Sequence, residues 1–334
     1  MTGREGRPTI YDVARLARVS IATVSHVLNR PERVGAATRE RVLAVIDDLQ
    51  FVPKEAAVSR ARRGTGRIGV LAPFTSYPSY LQRLAGVLEN RSGRTEVVVF
   101  DHDSVAADPH PLLASLPASG RLDGLIIMGV PLDRELAERQ ARRGLPTVLV
   151  DSEHEGFSSV SVSDDHGGLV VGRHLAELGH RHLAFLAEEQ VSNDYLSPGQ
   201  RRWRAVERAF SEAGLPEGAI RRVVCGPDFA GAREALHEIL ELDPRPTAVF
   251  AHHDELAAGV VTAARQLGLR VPEDLAVIGY DGGVLADALQ LTTVVQPLRE
   301  SGVVGRRLLM ARLDGDTTTQ QIMLEPRLMR GVTT

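Results

Sequence analysis

Three scarcities bound what this chain can be. It has one cysteine, Cys225, which excludes an internal disulfide framework, fits a reducing compartment and reads as a small residue beside a strand. It has one lysine, Lys54, so nearly all its positive charge is guanidinium, a bias that gene composition accounts for as readily as phosphate binding does. No run approaches the roughly 18 apolar residues of a membrane span, and residues 1–8 lack the apolar segment of a signal peptide, so a cytoplasmic protein is expected. Reaction chemistry is equally sparse. There is no G-x-S-x-G nucleophile elbow and no motif around Cys225. Asp101–His102–Asp103, His180 with His182, and His252–His253–Asp254 offer metal-binding residue types. Neighbours on a helix point about 100 degrees apart, however, and none of these groups repeats a zinc spacing. Loop and cap roles are expected for them, with no metal, no cofactor and no enzymatic activity.

What is present is enough for more than one core: 334 residues with 43% hydrophobic content imply at least two domains. The net charge of −4 is divided unevenly, because residues 1–63 hold 12 Arg or Lys against 7 Asp or Glu while the remainder is acidic. A basic head on an acidic body fits a polyanion bound at one end.

That head carries the most informative stretch, Thr9 to Asn29, TIYDVARLARVSIATVSHVLN. Thr9 and Asp12 have the spacing of a capping box. Tyr11 to Ala17 makes a first helix with an apolar face of Val13, Ala14, Leu16 and Ala17. Ser20 is placed to cap a second helix, which turns Val24, Val27 and Leu28 inward and Ile21, Ala22, Ser25 and His26 outward. Gly35 to Gln50 supplies a third helix through Val42, Leu43, Val45, Ile46 and Leu49.

The run T-x-x-D-V-A-x-x-A-x-V-S-x-x-T-V-S-x-V-L-N resembles the DNA-binding head of the lac repressor/galactose repressor family. That resemblance implies a helix-turn-helix with Ile21–Asn29 as recognition helix, where Ile21, Ala22 and His26 reach base edges. It places Thr9, Ser20, Thr23, Ser25, Asn29, Arg30, Lys54 and Arg60 among the DNA contacts. It also implies a homodimer on a palindromic operator, residues 1–53 as the DNA-binding domain and 54–66 as hinge helix and linker. Three departures bear on specificity. Arg18 stands at a turn usually made by Gly, and His26 stands where several relatives carry Arg. Arg60 stands where relatives carry a leucine wedged between central base pairs, and guanidinium favours a narrow, A·T-rich minor groove instead.

GTGRIG at 64–69 matches the dinucleotide fingerprint G-x-G-x-x-G, but it precedes a strand instead of following one, so it reads as linker. From Arg67 onward, short apolar runs such as IGVLA, EVVVF, PTVLVD and VIGYD alternate with amphipathic stretches, an α/β pattern with parallel sheets. By resemblance this is a periplasmic-binding-protein-like body of two doubly wound parallel-sheet subdomains with a cleft between them. The near half is expected at 67–163 and 294–316, the far half at 164–293 and 317–334. Ligands of such sheets gather at the C-terminal strand ends. There the resemblance places Asp164 (with Ser163 as the alternative), Arg202, Phe229 as a stacking aromatic, His253 where the family has Asn, and Asp281; Gly282 replaces a second carboxylate. A sugar or related polyol is the expected effector, with a nucleoside or an empty cleft as alternatives. The end of the chain, LEPRLMRGVTT, lacks an apolar heptad repeat, which favours a dimer over a tail-zipped tetramer.

Overall fold

A computed structural model describes residues 8–53, 66–89, 95–102, 111–188, 196–226 and 228–334. Contacts divide the chain into two compact units, residues 1–161 with 299–322 and residues 162–298 with 323–334.

The first unit opens with the head. Thr9 caps α1 (Ile10–Ala17): its hydroxyl accepts from the Asp12 amide at 3.4 Å while the Asp12 carboxylate accepts from the Thr9 amide at 3.0 Å. Arg18 then turns the chain in a left-handed conformation, φ 54 and ψ 47, which crowds Cβ against the backbone. Ser20 caps α2 (Ile21–Asn29) by accepting from the Thr23 amide at 3.1 Å. A 3-10 turn, Pro31–Arg33, leads into α3 (Ala36–Asp48). Val13, Ala17, Val24, Val27, Val42, Leu43 and Ile46 close the apolar core of the three helices, with Phe51 packed against it. Leu16 departs from the expected face and is 49% exposed. The buried stripe runs through Val13, Ala14 and Ala17, and Leu16 lies about 100 degrees from its centre.

The rest of the first unit is laid out as β1 (Gly66–Ala72), α4 (Ser79–Leu88), β2 (Thr95–Asp101), α5 (Pro111–Ser119), β3 (Gly124–Met128), α6 (Arg134–Arg143), β4 (Thr147–Val150) and β5 (Ser158–Val162). The second unit follows with α7 (Asp164–Glu177), β6 (Leu183–Glu188), α8 (Pro198–Glu212), β7 (Ile220–Cys225), α9 (Phe229–Glu241), β8 (Ala248–Ala251), α10 (Asp254–Gln266), β9 (Ala276–Asp281), α11 (Val284–Leu289) and β10 (Thr292–Val295). The chain then returns through α12 (Leu298–Leu313), β11 (Gln321–Leu324) and β12 (Arg327–Met329). The described strands form two six-stranded sheets ordered β11-β5-β4-β3-β1-β2 and β12-β10-β9-β8-β6-β7. Within β1–β5 and within β6–β10 the pairings are parallel, the doubly wound arrangement expected from the alternating pattern. The strand order reverses beside β1 in one sheet and beside β6 in the other.

Two expectations need adjusting. β10 pairs with β9 and β12, so the stretch at 294–298 that was expected in the near half lies in the far unit, while 317–322, expected in the far half, lies in the near unit, where β11 joins β5. The end of GTGRIG is strand and not linker, because β1 begins at Gly66 and pairs from there with β2.

α12 completes the first unit by lying backbone to backbone on α4. A Cβ on Gly86 would fall 2.0 Å from the Arg299 carbonyl oxygen, and one on Gly302 would fall 1.9 Å from that of Arg83, so only glycine permits the contact. Arg306, buried in the same seam, donates to the Val87 carbonyl at 2.9 Å.

Candidate DNA interface and effector pocket

In the head, the inward face of α2 is sealed by Val24, Val27 and Leu28, so its outward face is fixed by helical geometry. Ile21 is 40% exposed, and Ala22 and His26 are exposed beside it. Ser20 and Thr23 bond to one another through their hydroxyls at 2.9 Å at the start of the helix, and Asn29 Nδ2 donates to Ser25 Oγ at 3.1 Å at its end. Thr9 is committed to its cap, and Arg30 is the exposed residue that ends α2. Lys54 and Arg60 lie outside the described residues.

In the second unit, the C-terminal strand ends carry a connected polar group. Asp164 begins α7, and Ser163 caps that helix by accepting from the His166 amide at 3.2 Å. Arg202, on α8 and only 6% exposed, donates through Nε to Asp164 Oδ1 at 2.7 Å and through Nη1 to the His252 carbonyl at 2.8 Å. Its guanidinium lies 3.6 Å from the centroid of the Tyr280 ring. Gly168 makes this possible: a Cβ there would sit 2.5 Å from the Arg202 carbonyl oxygen, so α7 and α8 close together only over glycine. Burial opposes the Arg202 charge, and Asp164, followed by Tyr280 and Asp281, more than offsets that and raises its pKa. The fork that the sequence offered to a ligand is thus already engaged inside the protein.

Asp281 ends β9 at φ 118, and its carboxylate accepts from Gln296 Nε2 at 2.6 Å. Phe229 opens α9 and is 45% exposed, so it is no core aromatic. His253 caps α10, accepting from the Leu256 amide at Nδ1, and its Nε2 lies 3.0 Å from Glu188 Oε1. Asp254, which the sequence groups with these histidines, turns the other way. It accepts from Thr293 Oγ1 at 2.7 Å and from the Gly283 amide at 2.8 Å, and burial together with the Asp281 charge pushes its pKa up to about 7.

Glu188, Tyr280, His252 and Gln296 join this polar group and were missed by sequence reasoning. Glu188 ends β6 and His252 follows β8, the two strands flanking the reversal of order, which only the sheet topology brings together. Donor atoms of Glu188, His252 and His253 lie within 4.8 Å of one another, close enough to be drawn onto a divalent cation. His253, however, already uses both ring nitrogens, one to Glu188 and one in the helix cap. His252 keeps both nitrogens buried without a hydrogen-bond partner, and burial, then the nearby Arg202 charge, holds its pKa well below the ordinary value.

Comparison with known proteins places this geometry. Residues 9–54 match the family described as "Bacterial regulatory proteins, lacI family", and residues 173–334 match the "Periplasmic binding protein-like domain". Catabolite control protein A of Priestia megaterium is 31% identical over 326 residues, 95% of this chain and 96% of that protein. Among solved structures, the complex of the transcriptional regulator CelR with cellobiose is similar over 98% of this chain and all of that one, at 28% identity and a TM-score of 0.68. The lac repressor dimer bound to operator and the anti-inducer ONPF is similar over 98% and 99%, at 26% identity and a TM-score of 0.67. With identity of this order sustained from the capped head to the last strands, the chain belongs to the lacI family of bacterial regulatory proteins.

Proposed function

We propose that this regulator is a transcriptional repressor that binds a palindromic operator as a homodimer, works in the cytoplasm, and is controlled by a polyhydroxylated small molecule, most simply a sugar. The chain is a DNA-binding regulator by family and not an enzyme. The observation that carries the DNA assignment is the head itself. Two capped helices meet across a left-handed turn, and Ile21, Ala22 and His26 are left on one open face of α2.

For the effector, the supporting observation is the set of groups at the strand ends of the far sheet. Asp281 is an acceptor for hydroxyls, the bonded pair Asp164 and Arg202 positions this group, His253 is a further polar contact, and exposed Phe229 is a face on which an apolar sugar surface stacks. Control follows from linkage, because a ligand alters operator binding only by the difference in its affinity for the two states of the protein. Trp203, the single tryptophan, follows Arg202 on α8 and packs edge-on to Phe185 with centroids 5.5 Å apart, so its emission reports this region. Sequences selected from random duplex DNA, with and without a panel of sugars and nucleosides, should yield a palindrome whose retention one sugar changes, and that sugar should shift Trp203 fluorescence. Recovery of no sequence above background would end the repressor reading. A nucleoside acting alone would replace the sugar.

A further inference from the structure

The acidic side of the head faces the near half of the body. On α3, Glu40 and Asp47 lie two turns apart and meet two arginines one turn apart on α6. Arg139 Nη1 donates to Glu40 Oε2 at 3.3 Å, its Nη2 pairs with Glu40 Oε1, and its Nε lies 3.4 Å from Asp47 Oδ2. Arg143 Nε and Nη2 lie 2.7 and 2.6 Å from Asp47 Oδ1, while Nη1 donates to the Phe51 carbonyl at 3.2 Å. The side chains of Arg139 and Arg143 are 7% and 8% exposed, unusual for arginines on so charged a helix. Ala114 and Ala118, one turn apart on α5, join the apolar cluster of the head, their small side chains letting the helices approach. Beyond α5, Arg121 donates to Asn29 Oδ1 at the end of α2.

We propose that this face of the near half is a docking site for the chain's own head, and that the docked head is the form that binds operator. Two observations set the direction. Docking uses α3, α2 and the 3-10 turn that follows it, and it leaves Ile21, Ala22 and His26 open. It also pairs two carboxylates of the head with guanidinium groups and brings Arg121 beside Asn29. A duplex presenting a phosphate charge every few ångströms therefore meets a more positive surface on the docked head than on a free one. Fixing each head to its body further sets the spacing that two half-sites one helical turn apart demand, so less orientational freedom is lost on binding. Burial opposes the charge of Arg139, and Glu40, Asp47 and Glu135 overcome it and raise its pKa, so the guanidinium stays charged within these pairs.

The functional half of the proposal rests on operator binding by the head, so docking is measured separately, without DNA. Hydrogen exchange of α3 amides in the full chain should accelerate in Arg143→Glu and in the milder Asp47→Asn. It should return toward the wild-type rate in the charge swap Arg143→Glu with Asp47→Arg. At fixed salt, operator affinity should fall about tenfold in Arg143→Glu and recover in the swap. It should not recover when the compensating arginine is placed instead at the adjacent, exposed Asp48. Unchanged α3 exchange in both single variants would mean that the head is not docked in solution. Tighter operator binding by Arg143→Glu would mean that docking withholds the head, and equal rescue by Asp48→Arg would reduce the effect to bulk charge. Each of these results overturns the proposal.

Discussion

Removing either partner of the Asp164–Arg202 pair should be costly, and the two losses should be unequal. Both side chains are buried and their contact is 2.7 Å. Breaking a buried ion pair by deleting one partner costs about 3–5 kcal/mol, because the other charge is left behind. Asp164→Asn leaves the guanidinium with the His252 carbonyl, the Tyr280 ring and the Asp281 charge but without its paired carboxylate, so about 3–5 kcal/mol is expected. Arg202→Met strands a carboxylate in the first turn of α7, where the helix dipole returns roughly 1 kcal/mol, so about 2–4 kcal/mol is expected. The pair Asp164→Leu with Arg202→Met removes both charges and should cost less than the sum of its single changes, with a coupling of about 2 kcal/mol. Urea unfolding of the full chain, followed through Trp203, reads the far unit selectively, which matters in a chain of more than one cooperative unit. A cost below about 1 kcal/mol for Arg202→Met, or a coupling indistinguishable from zero, would refute the reasoning.

Further outcomes follow from other residues. Arg18→Gly should stabilise the head by about 1 kcal/mol, seen as slower exchange of α1 and α2 amides, since glycine takes φ 54 without the crowding of Cβ. Gly168→Ala should destabilise the far unit by about 1–3 kcal/mol, measured by the same Trp203 transition, and weaken the sugar response by pushing α8 and Arg202 outward. Asp254 holds its proton in the folded state up to about 7, whereas the unfolded carboxyl releases it near 3.8, so the contribution of Asp254 to stability should fall as pH rises between those values and level off above them, against the rise supplied by the buried His252, whose pKa is lowered. Asp254→Asn should flatten that slope; an unchanged profile in a pH series of urea melts would contradict it. Log operator affinity should decline with log salt at about −0.9 per phosphate neutralised. In the hinge, Arg60→Leu should shift preference from A·T-centred to C·G-centred operators in gel shifts.

The head was legible in the sequence because it is local. Capping box, second cap and inward stripe all lie within one or two helical turns, and only Leu16 misled, since a two-turn helix has room for one face and spacing alone does not centre it. The pocket was half legible. Asp281, Phe229 and Asp164 stand next to strand ends that can be seen in the chain, whereas Glu188, Tyr280 and Gln296 join through sheet order and register, which no local pattern encodes. The engagement of Arg202 by Asp164, 38 positions away, was invisible for the same reason. So was the partnership of α3 with α6, because surface arginines on a charged helix look alike until one is buried.

The backbone contact between α4 and α12 has a consequence for how the protein is made. The far unit is nearly continuous at 162–298, but the near unit needs residues 299–322, which leave the ribosome only after that whole stretch. At about 5–20 residues per second, α4 is synthesised and then waits roughly ten to thirty seconds or more for the helix its glycines are shaped to receive. By the end of that interval the far unit has everything but its last strand, while the near unit still exposes the seam around Gly86. Ribosome-stalled chains whose emerged part ends near residue 298 should therefore hold a far unit close to native and a near unit open to proteolysis and to chaperones.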